Sequence, residues 1–383
     1  MFKALGEDIY SRIQVVFRSL RYRNYRLFFG GQSISLIGTW MQRIALPWIV
    51  YRMTGSELLL GVVGFAGQLP TFLLSPFAGV VTDRWNRYRV LLVSQVVSMV
   101  QAVALAWLSL SGDLDVWHIV LLSIILGCIN AFEVPARHSF VIEMVEDKDD
   151  LGNAIALNSM MFNGARLVGP SVAGVILATA GEGICFLINA VTFVFVIGSL
   201  LMMKVSVKEK QRNEKHIFRE LREGVRYTFG FAPIKHVILL LGIISLMGSS
   251  YQVLMPVFAK EILHGDSHTF GFLMSAAGCG ALLGAVYLAS KESVIRLGRL
   301  IPAAAGLLSA GLIAIAFNTS FLLSAVLMFI TGLGMMMHAA SSNTILQTIT
   351  DDDKRGRVMS FYTRPLWALL RLAACWLAGW QKW

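Results

Sequence analysis

Charge is what this chain of 383 residues has least of: Asp, Glu, Lys and Arg together make up 15%, where a soluble domain carries about 25%. Hydrophobic residues make up 56% and mean hydropathy is +0.65. A soluble chain of this length would form two or three domains whose surfaces need more charge than this. The composition therefore points to an integral membrane protein. Cysteine is also scarce. Cys128, Cys185, Cys279 and Cys375 stand far apart, each inside an apolar stretch and without CxxC or metal-ligand spacing. That excludes a disulfide framework or zinc ribbon and leaves them as small core residues. The seven histidines are scattered without ligand spacing, and His338 reads as core or interface. Residues 1–24 lack the apolar run and cleavage site of a signal peptide, so the first apolar segment is expected to insert and stay. No segment alternates over about ten residues, which excludes a membrane β-barrel. Gly278, Gly280 and Gly284 lie inside an apolar run with no strand before them, so they form no phosphate loop. No nucleophile–base pair, metal site or cofactor motif occurs, and an enzyme is not expected.

What is present is a series of apolar stretches, each close to the 20 or so residues that cross a bilayer. They fall at 26–50, 58–81, 90–111, 116–135, 154–178, 184–203, 236–258, 270–290, 300–317 and 320–340, predicting an all-α membrane bundle. Lysine and arginine divide between the two sides as 27 to 2, with only Arg52 and Lys260 on the poorer side. Basic residues collect in cytoplasmic loops, which places the N-terminus in the cytoplasm. The formal charge of +10 follows from this basic strip facing anionic lipid, and nucleic acid is not needed to explain it. Residues 204–235 form the one long polar connection, with Ile217, Leu221, Val225 and Phe229 making an apolar stripe on a basic helix. Ser139–Ser159 lines up with Asn343–Thr363 at a shift of 204, Asp147 falling on Asp351 and Gly152 on Gly356. Both copies lie on the cytoplasmic side, so the repeat is parallel. The division is an N-terminal six-helix half (1–203), an amphipathic linker (204–235) and a C-terminal half (236–383), with a midplane site expected between the halves.

The loop after the second stretch, GVVTDRWNRYR, sets one carboxylate, Asp83, among Arg84, Arg87 and Arg89, with Gly79 ahead of it. Such a cluster can pair with a helix N-terminus in one conformation and release it in another. Ordinary positive-inside topology is the plainer account. The spacing G-x-x-x-D-R-x-x-R resembles the loop signature of the major facilitator superfamily. Residues 36–83, AFEVPARHSFV (Ala131–Val141) and LGNAIALNSMMFNGARLVGPSVAG (Leu151–Gly174) resemble its transmembrane secretion effector branch, which includes enterobactin exporters and macrolide efflux proteins. The resemblance covers residues 20 to about 363. It implies a twelve-helix exporter of small organic molecules, driven by the proton gradient from the bacterial inner membrane.

Within the fifth stretch, Gly164, Gly169, Pro170 and Gly174 are similar to the G-x-x-x-G-P-x-x-G-G motif of drug antiporters. Gly164 lies one residue early and Ala173 replaces the first closing glycine, so close packing through small residues is a standing alternative. Charges inside apolar stretches are the other pointers, since lipid burial of a charge costs several kcal/mol. Arg43 lies in the outer part of the first stretch, and Arg166 in the middle of the fifth, one turn from Asn163. Arg166 reads as an anchor for a substrate anion or as the partner of a carboxylate. Glu133 and Arg137 are i, i+4 neighbours: they pair with each other, or Glu133 carries a proton.

The reading is a monomeric secondary transporter whose partners are a small molecule, protons and the lipid bilayer, with neither cofactor nor nucleic acid. A lipid flippase of the same fold is the alternative. After Thr363 the chain reads RPLWALLRLAACWLAGWQKW, with Pro365 and Arg371 where a Gly-rich eleventh span is expected. This predicts ten clear spans, a short eleventh and an incomplete second half, and makes a truncated, non-transporting membrane protein the second alternative.

Overall fold

The computed structural model describes residues 17–147, 150–204, 226–227, 229–289 and 297–350. Ten long helices follow one another: α1 (Arg23–Thr54), α2 (Glu57–Arg84), α3 (Arg87–Ser111), α4 (Val116–Glu143), α5 (Leu151–Thr179), α6 (Glu182–Leu201), α7 (Ala232–Val257), α8 (Ser267–Ala289), α9 (Leu297–Ala316) and α10 (Phe321–Ile349). A 3-10 turn, Arg18–Arg21, precedes α1, and a π-helical turn, Phe258–Ile262, continues α7. The described residues contain no strand. Each helix coincides with one apolar stretch of the sequence. Most run a few residues past it, because hydropathy marks only the apolar part of a helix.

Eight of the ten, α2 to α6 and α8 to α10, are long and apolar enough to cross a membrane. The other two fall short of that measure. Four arginines lie on α1, and of α7 the measure covers only Ala232–Ile244 among the described residues. α7 begins at Ala232 with Pro233 in its first turn, where a missing N–H costs nothing. Ile217, Leu221 and Val225 of the expected stripe lie outside the described residues, as does everything after Thr350.

The first six helices pack together: α1 along α5 and α6, α3 along α6, and α2 along α4, while α10 packs on α8 and α9. Lipid supplies no hydrophobic drive between helices, so close approach and hydrogen bonds must hold them. Gly38 lets α1 meet α6, because a Cβ there would stand 2.7 Å from Asn189 Oδ1. Beside it, Asn189 Nδ2 donates to Gln42 Oε1 at 2.7 Å and Gln42 Nε2 donates to Gln101 Oε1 at 3.1 Å, all three side chains buried. This chain of amides ties α1, α3 and α6 in one register.

At the basic end a second network fixes the start of the fold. The side chain of Asp150, 2% exposed, pairs with Arg18 and, at 2.6 Å, with Arg21. It also accepts from Tyr22 Oη at 2.8 Å. Ser19 adds two bonds, its amide to Asn153 Oδ1 and its hydroxyl to the Asp150 carbonyl, each 3.0 Å. The 3-10 turn is thereby bound to the first residues of α5.

One core expectation is corrected. Cys185 is buried and Cys128 half-buried, but Cys279 is exposed on α8. An apolar neighbourhood in sequence does not signal burial here, since lipid accepts apolar side chains. Trp107, Val194 and Leu322 are exposed for the same reason.

Candidate functional site

The intramembrane cations converge on one indole ring. Trp40 and Arg43 lie one turn apart on α1, and Phe162 and Arg166 one turn apart on α5, so each pair shares a helix face. The guanidinium carbons of Arg43 and Arg166 lie 4.9 Å and 5.8 Å from the Trp40 ring centroid. Phe162 meets the same ring edge-on, centroids 5.7 Å apart and planes at 74°. From α10, Met335 brings its Sδ to 3.5 Å from Arg166 Nη2. Among the described residues, Trp40 Nε1 is buried without a hydrogen-bond partner and Arg166 forms no ion pair. Gly169 makes the assembly possible: a Cβ there would stand 2.5 Å from Trp40 Cβ and 3.1 Å from the Ile37 carbonyl.

From this cluster to the end remote from the basic loops, the first six helices meet the last four along a seam. A Cβ on Gly278 would lie 3.0 Å from the Arg166 carbonyl. Next along the seam, Ser171 Oγ donates to Ser275 Oγ at 2.8 Å. Gly174 then faces Gly271, where a Cβ on Gly174 would stand 2.8 Å from the Gly271 Cα. Beyond it Trp48 stacks on Phe270 with centroids 5.8 Å apart, and Tyr51 Oη donates to Glu261 Oε1 at 3.1 Å. The glycines of α8 therefore serve helix contact. Gly284 adds to this, a Cβ there standing 3.1 Å from the Leu333 carbonyl on α10.

The remaining candidates are placed as follows. Of the helix-bend motif, Gly169, Pro170 and Gly174 are buried in contacts, whereas a Cβ on Gly164 would meet nothing within 4 Å. Asn163 is buried but donates to the Ser159 carbonyl of its own helix at 2.9 Å. Arg137 Nε and Glu133 Oε1 pair at 2.9 Å with both side chains nearly buried. The loop candidates divide. Gly79, Asp83 and Arg84 fall on the last turns of α2, with side chains outside the described set. Arg87 opens α3 and pairs with Glu143 at the end of α4, 2.5 Å away, and Asn86 caps α3 by accepting from the amide of the exposed Arg89.

Four participants were not singled out from the sequence. Trp40 and Met335 are single residues in apolar runs, and only the neighbouring arginine marks Trp40. Glu143 and Asp150 stand in or beside an acidic segment that reads as solvated turn. On α10, His338, Ser341 and Ser342 are buried; the two serine hydroxyls have no hydrogen-bond partner among the described residues, and the His338 ring lies against the Ile301 backbone of α9.

Apolar helices in two packed groups, with two guanidiniums on one indole ring where they meet, fit a multi-pass membrane transporter of the major facilitator type. The chain belongs to the transmembrane secretion effector family of that superfamily, whose sequence profile matches residues 15–378. It is 24% identical over 340 residues to the staphyloferrin A transporter of Staphylococcus aureus, covering 88% of this chain and 84% of that one. It is 24% identical over 326 residues to the multidrug efflux pump Tap of Mycolicibacterium fortuitum, covering 82% and 79%. Its fold resembles that of a bacterial homologue of the iron transporter ferroportin in the inward-facing state. There the TM-score is 0.68 at 15% identity, covering 94% of this chain and 91% of that one. The chain is a transporter of this family and not an enzyme.

Proposed function

We propose that the chain is a secondary active exporter of small organic molecules, drug-like or siderophore-like, working by proton-coupled alternating access. The observation that carries this reading is the seam. The named contacts between α1–α6 and α7–α10 run from the midplane to the end remote from the basic loops. On this reading the halves are closed there and the Trp40–Arg43–Arg166 cluster is reached from the basic side. The lysine and arginine distribution supports a cytoplasmic basic side, and with it an inward-facing state in the inner membrane. Export then requires the seam to part. The Gly79–Asp83–Arg84–Arg87–Arg89 loop is the candidate latch, with Arg87 held by Glu143 in this state. Glu133, paired with Arg137, is the candidate site of proton exchange.

Everted vesicles from cells expressing the chain test this. With the lumen acidified, a macrolide or a polycarboxylate siderophore should accumulate inside, and an uncoupler should abolish the accumulation. Accumulation that survives the uncoupler, or none beyond empty-vector vesicles across the panel, contradicts it. Orientation is checked in intact cells, where an impermeant thiol reagent should label Ser56→Cys or Ser267→Cys and spare Ser206→Cys.

A further inference from the structure

The cluster at the midplane is built from donors alone. A guanidinium offers five N–H groups and no acceptor, and an indole offers one N–H. Among the described residues no acid pairs with Arg166. None of α1, α5, α7, α8 and α10 contains an aspartate or glutamate anywhere along its length. The acids nearest the membrane interior are committed elsewhere or lie at the outer ends of helices. Glu133 pairs with Arg137, Glu182 with Arg52 at 2.8 Å, and Glu261 accepts from Tyr51, while Glu57 opens α2 in an exposed position. Arg166 thus sits half-buried in the membrane interior with only a thioether and a ring face as partners. A cation in that position is costly until an anion meets it. Arg43, on the same ring and exposed, adds a second positive charge. A cationic solute would meet the Arg166 guanidinium and, on the described parts of these five helices, no carboxylate.

We infer that the Trp40–Arg43–Arg166 cluster is the binding site for an organic anion, a carboxylate or phosphate carried on a flat apolar or aromatic body. This deepens the exporter reading above by naming the substrate class. The planar guanidinium of Arg166 takes the anion as a two-bond fork. The unpartnered Trp40 Nε1 supplies a further donor. Phe162, the Trp40 face and Met335 provide the apolar walls, ring and sulfur surfaces that suit a flat body. The anionic group can belong to a soluble acid or to a lipid headgroup.

The test uses the purified full chain in a nonionic detergent and two probes of opposite charge on the same naphthalene body, 2-naphthoate and 2-naphthyl-trimethylammonium. The naphthoate should bind at least tenfold more tightly. In Arg166→Leu that preference should fall to near one. Because the ratio is measured on a single preparation, a partly unfolded variant does not imitate the result. Trp40→Phe keeps the ring, removes the N–H and should weaken naphthoate severalfold with little effect on the cation. A ratio near one in the parent chain, an unchanged ratio in Arg166→Leu, or no naphthoate binding to folded chain each overturns the inference. Displacement by lysophosphatidylglycerol, but not by short dicarboxylates, assigns the anion to a lipid headgroup, and the reverse assigns it to a soluble acid. Binding in detergent needs no gradient or turnover. Failed vesicle export with intact anion preference therefore strikes only the exporter reading, and export of cations without that preference strikes only this inference.

Discussion

Leucine at Gly174 should force α5 away from α8 and leave export below a tenth of the parent rate at equal membrane expression. A Cβ alone would stand 2.8 Å from Gly271 Cα, a backbone atom that cannot rotate out of the way. Carbon atoms rest at about 3.5–4.0 Å, so one helix must shift by most of an ångström before the rest of the leucine is placed. Such overpacking costs about 1–3 kcal/mol in a well-packed interior. The Ser171–Ser275 bond and the Trp48–Phe270 stack lie along the same seam and would be strained with it. The motif supplies its own control. Gly164→Ala meets nothing within 4 Å, and alanine improves helix propensity by nearly 1 kcal/mol. That variant should hold or slightly raise the thermal midpoint in detergent, while Gly174→Leu lowers it by several degrees. Equal midpoints and equal export for the two variants would remove the seam from the account.

Asp150→Ala should release the N-terminal turn and speed trypsin cleavage after Arg18 or Arg21 by at least tenfold. The carboxylate is 2% exposed and satisfies two guanidiniums and the Tyr22 hydroxyl. Deleting one member of a buried, hydrogen-bonded pair costs about 3–5 kcal/mol when its partners stay buried. Here Arg18 and Arg21 are 44% and 55% exposed and regain water, so the loss is smaller than that. A tenfold change in the opened population needs only about 1.4 kcal/mol. Asp150→Asn keeps an acceptor for Tyr22 and should fall between the two. Unchanged cleavage in Asp150→Ala would mean that the Ser19 bonds to Asn153 and to the Asp150 carbonyl hold the turn by themselves.

Those two sites differ in how far they could be read from sequence. Gly174 belongs to a motif of small residues and was legible, and so were the ten helices, since a span must show a long apolar run. Its partner Gly271 was not, because a glycine's contact depends on which helix lies opposite. Asp150 sits in the run Asp147–Asp150, where four consecutive polar residues read as solvated turn. Nothing local tells that one of them turns inward to meet residues 128 or more positions earlier. At the midplane the signal was partial. Arg43 and Arg166 were visible because charge in an apolar run is costly, but Trp40, on which both converge, looked like any aromatic in a span. Asn163 was drawn in by its one-turn spacing from Arg166, yet it bonds to its own helix, as buried amides on helices often do.

The central claim is that the seam between the halves opens in each export cycle, and the pair Ser171 and Ser275 tests it most directly. Their hydroxyl oxygens lie 2.8 Å apart on α5 and α8, so Ser171→Cys and Ser275→Cys together bring two sulfurs within bonding reach across the seam. Oxidation should then lock the halves together at that point. The account predicts that the crosslinked chain loses accumulation in everted vesicles to below a tenth, and that a thiol reductant restores it. Full accumulation by chain shown to be quantitatively crosslinked would contradict it.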